Sequence, residues 1–222
     1  MTEGESSVSP PEQGASTLFL LAGVVYLLGQ PWGMVGIREA HPALFHLTLA
    51  GWKLVAVVLG FYCASRFVPG DPLGLRRRPT WLSVKPVFGA YFVALPLLVV
   101  LSMKFKADQA QTIVADLISG DGTFRAAVFF MAVVVTPFFE ELVFRGLLQG
   151  GLRRYLPPTG AVVVSSLLFA LVHPAAVLVP ILLLALLLGW AFERTKSLWV
   201  PIGVHFLHNG VAFALVLWGA GG

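Results

Sequence analysis

Charged side chains are scarce in this chain. Only 12% of its 222 residues are Asp, Glu, Lys or Arg, against 57% hydrophobic, and the mean hydropathy is +0.84. That balance excludes an ordinary soluble globular domain. The one cysteine, Cys63, excludes an internal disulfide and reads as a small buried hydrophobe. No basic segment precedes the first apolar run, which argues against a cleaved signal peptide and for a retained membrane helix. No internal repeat relates two halves of the chain, which counts against a secondary transporter built on matching halves. The net charge of +4 comes from Lys and Arg in connecting segments. It reads as orientation and contact with anionic headgroups, with no nucleic-acid partner implied.

What is present is a series of apolar runs long enough to cross a bilayer core, for which about 20 residues are needed. The expected fold is all-α, a polytopic transmembrane helical bundle of about seven spans. After a polar, acidic tail over residues 1–16, read as disordered, span one covers 17–37 with a kink at Gln30-Pro31. Span two covers 43–65, where His46 and Lys53 read as snorkelling or bundle-facing side chains. A polar connector with Arg76-Arg77-Arg78 leads to span three at 86–103. Ile113, Val114, Leu117 and Ile118 then suggest a short amphipathic surface helix. Spans four to seven cover 124–152, 159–174, 175–192 and 198–218. With a cytoplasmic N-terminus, the inner connectors hold nine Lys or Arg (Arg66, Arg76, Arg77, Arg78, Lys85, Arg153, Arg154, Arg194, Lys196). The outer ones hold four (Arg38, Lys104, Lys106, Arg125), in keeping with the positive-inside rule.

Among the acidic residues, only Glu140 and Glu141 fall inside a long apolar span. A charged side chain at mid-helix costs about 2.5–3.5 kcal/mol even on insertion scales, so two adjacent ones mark a bundle interior or wet cavity. Arg145 follows Glu141 by four positions, on the same helix face, and is its natural ion-pair partner. Glu140 diverges from Glu141 by about 100° and is left free to take a proton from water. Helical rise puts both glutamates about 18–20 Å from the end at Arg153, His173 about 21 Å in, and His205 and Asn209 about 11 and 17 Å in. Three helices therefore bring polar groups to overlapping depths. Taken singly, His173 beside Pro174 reads as a helix-end cap, and His205 with Asn209 as interhelical glue. Taken together, they supply what amide hydrolysis needs. Glu140 and His173 orient and deprotonate a water, while His205 and Asn209 donate to the oxyanion. His208 shares the neighbourhood without an assigned role.

A metal is the other reading. Glu140, His173 and His205 are acceptable zinc ligands, but the compact H-E-x-x-H signature is absent and the three would come from separate helices. A water activated by Glu and His, with no obligate cofactor, is preferred; zinc is the metal the site would otherwise take.

The ordered set Glu140-Glu141-x-x-x-Arg145, Phe169-x-x-x-His173 and His205-x-x-x-Asn209 resembles the three-motif pattern of the CAAX-protease and bacteriocin-processing (CPBP, or Abi) family of intramembrane proteases. The type II CAAX prenyl endopeptidases belong to that family. The flanks Phe144-Arg145-Gly146-Leu147-Leu148 and Ser166-Leu167-Leu168-Phe169-Ala170 resemble it too, as does Ser197-Leu198-Trp199 ahead of His205. The resemblance covers about 124–214, and spans one to three carry none of it. It implies a catalytic core in the C-terminal four spans (124–218), with 17–123 as accessory helices and connectors. It implies endopeptidase activity near the cytoplasmic face on a peptide or protein with a membrane-associated segment. Glu140, His173, His205 and Asn209 would be catalytic, with Glu141 and Arg145 in support. Family members are described both as metalloproteases and as glutamic-type proteases, and their substrates range from prenylated C-terminal motifs to bacteriocins. A bacterial inner membrane, N-terminus cytoplasmic, is the expected location. A non-catalytic membrane scaffold or immunity protein is the alternative, with a proton-coupled transporter behind it.

Overall fold

The computed structural model describes residues 10–30, 35–68, 70–104, 117–118 and 120–220. Those residues form an all-α bundle without strands: α1 (Pro10–Leu28), α2 (Val35–Ala40), α3 (Pro42–Phe67), α4 (Trp81–Lys104), α5 (Gly122–Leu152), α6 (Pro158–Leu171), α7 (Ala175–Thr195) and α8 (Trp199–Ala220). The fold is that of a polytopic helical membrane protein, as the apolar runs predict. Five helices (α3, α4, α5, α7 and α8) have the length and composition to cross a membrane.

Two expected spans come out shorter. The apolar part of α1, Gly14–Leu28, and α6 reach only about 21–22 Å at helical rise, against a hydrocarbon core of about 30 Å. Pro31 and Pro174 account for this. A proline drives the residue before it out of the helical region, so α1 stops at Leu28 and α6 at Leu171. Val35–Ile37, expected inside span one, belong to the separate α2. At the other end α1 begins at Pro10, so residues 10–16 are helical where a disordered tail was expected. Two leading prolines suit a first turn, and Ala15 and Leu18 are buried in the bundle. Of the expected surface helix, Leu117 and Ile118 are helical; Ile113 and Val114 lie outside the described residues.

In lipid, close packing rather than the hydrophobic effect holds helices together, and small residues permit it. The α6–α7 pairing shows this: Ala161 and Ser165 on one helix and Ala185 and Gly189 on the other, each pair four apart, are all buried. Ser165 Oγ also donates to the Phe144 carbonyl at 2.7 Å, fastening α6 to α5. On the opposite flank Gly60 of α3 admits Leu142 and Val25. The outer faces carry exposed large apolar residues, such as Leu82 and Val93, as a lipid-facing surface requires.

The connectors expected on one side do meet at one end of the bundle. Arg153 pairs with Glu193 at 3.2 Å, Gln149 donates to Glu193 at 3.2 Å, and Lys196 also pairs with Glu193. Arg194 donates to the Ser83 carbonyl and Trp199 Nε1 to the Leu75 carbonyl. Gly74, at φ +64°, lies against the Lys196 carbonyl, where a side chain has no room.

Candidate active site

α5 positions the two glutamates. It is one continuous helix with two π-helical stretches, Phe130–Val135 and Leu142–Gln149, on either side of Thr136–Glu141. Pro137 explains the consequence of the first stretch. Thr136 N–H bonds to the Met131 carbonyl five residues back. In the same register residue 137 would bond to Ala132, but proline has no N–H. The Ala132 carbonyl is taken instead by Asn209 Nδ2 of α8, at 2.9 Å. Asn209→Ala should therefore destabilise the protein by about 1 kcal/mol, and less in a Pro137→Ala background, where the backbone donor returns. Chemical denaturation of the four proteins in detergent checks this.

Glu141 and Arg145 form the expected pair, Oε1 to NH1 at 3.2 Å, with both side chains fully buried. Arg145 also donates to the Ala185 carbonyl of α7 at 3.2 Å and lies over the Phe169 ring, 4.5 Å from its centroid. Glu141 has a second task that spacing along α5 does not reveal. Its Oε1 accepts from Nδ1 of His205 at 2.8 Å. This fixes the His205 ring and turns its Nε2 toward Glu140, 3.7 Å from Oε2. A carboxylate on Nδ1 fixes the ring's orientation, as outer partners of working imidazoles do.

His173 sits just past the end of α6, where Pro174 breaks the chain. Its Nδ1 donates to the Phe169 carbonyl at 2.7 Å, so in the neutral ring Nε2 carries the lone pair. That atom stands 4.0 Å from Glu140 Oε1. Glu140 thus faces two imidazole nitrogens, each beyond direct hydrogen-bond distance, and each ring is held through its other nitrogen.

Glu140, His173, His205 and Asn209 line one cavity of about 460 Å³ with Phe169 and His208. The structure brings all four sequence-derived candidates together, and places Glu141 and Arg145 directly behind them. Lys53 of α3 also lines the cavity, so of its two readings the bundle-facing one describes it and snorkelling does not. His208 stands edge-on to Tyr91, ring centroids 6.2 Å apart. One carboxylate and two imidazoles suit zinc by chemistry. Among the described residues, however, no three His, Cys, Asp or Glu converge as metal ligands do. The side chains as placed do not form a closed ligand set.

Comparison with known proteins bears on this same stretch. The family model described as type II CAAX prenyl endopeptidase Rce1-like matches residues 122–211. Residues 122–211 resemble the type II CAAX prenyl endopeptidases. The matched segment thus begins at the first residue of α5 and ends two residues past Asn209. Among curated proteins, the membrane-embedded CAAX protease MroQ of Staphylococcus aureus is 36% identical over 90 residues, 37% of this chain and 36% of that one. YdiL of Bacillus subtilis, provisionally named a membrane peptidase, is 35% identical over 80 residues, 34% of this chain and 32% of its own. The similarity therefore spans about a third of each relative. No solved structure matches.

Proposed function

We propose that this protein is an intramembrane endopeptidase that hydrolyses a peptide bond of a membrane-associated substrate. The observation that carries the reading is one carboxylate, Glu140, facing the Nε2 atoms of His173 and His205 inside a cavity, with both rings anchored. A water between Glu140 and His173 loses a proton to them as its oxygen attacks the scissile carbonyl carbon. The oxyanion that forms accepts hydrogen bonds from protonated His205 Nε2 and from the second N–H of Asn209 Nδ2. The C–N bond then breaks as the proton passes to the leaving amine. Glu141 acts through His205, holding its ring, and Arg145 neutralises Glu141. The CAAX-protease segment, 122–211, is the catalytic core in this reading, and α1 to α4 are accessory except where α3 closes the cavity.

Positive charge orients the bundle: the end bearing Arg76, Arg77, Arg78, Arg153 and Arg194 faces the cytoplasm, as in a bacterial inner membrane. Water activation by Glu140 and His173 requires no metal. Incubation with a strong chelator is therefore expected to leave the cleavage rate of the purified protein unchanged. Loss of cleavage that zinc restores would instead assign Glu140, His173 and His205 as ligands.

A further inference from the structure

Among the described residues Lys53 is the one Lys or Arg lining the cavity, and neither the matched segment 122–211 nor the mechanism above uses it. It lies deep in α3, about 16 Å from Pro42 and about 21 Å from Phe67 at helical rise. Its ammonium cannot reach a headgroup layer at either end by extending its stem. It rests over the ring of Phe139, 4.6 Å from the centroid, which offsets part of the cost of holding a cation there. Among the described residues it makes no ion pair within 4.0 Å. Cations at this depth normally face an anion. Among the described residues Glu140 is the only carboxylate lining the cavity; it acts on Lys53 from beyond ion-pair distance, and its two oxygens face His173 and His205. The walls between are apolar, formed by Leu49, Met131, Ile181 and Leu184.

We propose that Lys53 receives a carboxylate of the bound substrate and thereby selects which peptides the cavity accepts. The inference rests on the hydrolase reading. α3 supplies Lys53, while the imidazoles come from the end of α6 and from α8. A peptide with its scissile carbonyl at Glu140 therefore has Lys53 on its α3 side. The preferred substrate carries apolar residues flanking the cut and one carboxylate close to it. That carboxylate is either the α-carboxylate of a chain end or the side chain of an Asp or Glu.

The test uses the full chain in liposomes and three synthetic peptide pools. Each pool has an apolar anchor and a randomised apolar stretch. The first ends in a free acid, the second in an amide, and the third in an amide with one Asp or Glu inside the stretch. Cleavage is read by mass spectrometry. The wild-type chain is expected to cut the first or the third pool at least about tenfold faster than the second, and which one it prefers identifies the source of the carboxylate. Lys53→Met should erase that preference through KM with kcat retained. Lys53→Glu should turn it toward amide peptides bearing a Lys. Equal cutting of all pools by the wild type, or an equal fall in kcat on all pools in Lys53→Met, overturns the inference and makes Lys53 a distant counter-charge for Glu140. No cutting of any pool by the wild type removes the hydrolase reading, and the inference with it.

Discussion

Arg145→Met is expected to lower the stability of the folded protein by about 3–5 kcal/mol, the largest effect of any single substitution in the bundle. Both members of the Arg145–Glu141 pair are fully buried, so removing the guanidinium leaves a carboxylate in a low-dielectric interior with only the His205 Nδ1–H to answer it. The same change removes the donor to the Ala185 carbonyl and the cation over Phe169, two contacts that tie α5 to α7 and α6. A shift of the unfolding midpoint in a denaturant titration measures it. Adding Glu141→Gln should recover part of the loss, because the stranded charge is then gone as well. A single-variant loss below about 1 kcal/mol would place the pair in the class of exposed ion pairs and contradict the burial described above.

Glu140→Gln is expected to behave in the opposite way, with its full effect on activity and almost none on stability. The two side chains have the same shape, and Glu140 has no partner within direct hydrogen-bond distance at the imidazoles. The unfolding curve should therefore overlay that of the wild type. The amide cannot accept the proton that the attacking water must lose, and removing a general base costs roughly 10²–10⁴ in rate. Cleavage of a membrane-anchored peptide by the purified variant measures this. Substitution one position later, Glu141→Gln, should show both effects, since Glu141 holds Arg145 and His205 together.

Much of this arrangement is legible in the chain. Two acids inside an apolar run are costly enough to announce a cavity. The four-residue spacings Glu141–Arg145 and His205–Asn209 are set by helix geometry alone, and a rise per residue suffices to bring His173 to their level. The pairing of Glu141 with His205 is not legible, because it depends on how α8 turns against α5, and local spacing carries no such information. Nor are the two π-helical stretches in α5, which shift its faces without a mark in composition. Pro137 was the available signal there. A proline deep in a helix leaves a carbonyl without its donor, and a polar side chain on a neighbouring helix is what answers it. Lys53 was legible only as a pair of alternatives: a lone lysine in an apolar run fits snorkelling and bundle-facing equally well until its depth in α3 and the cavity beside it are known. The shortness of α1 and α6 follows from Pro31 and Pro174, whose effect on helix ends is local and readable.

The central claim is that Glu140, facing His173 and His205, drives peptide-bond hydrolysis in the membrane. The most direct measurement compares, by mass spectrometry, the membrane-derived peptides of cells carrying the wild-type chain with those of cells carrying Glu140→Gln at equal abundance. The account predicts a defined set of cleaved termini present with the wild type and missing with the variant, flanked by apolar sequence. Identical peptide profiles in the two cell lines would contradict it.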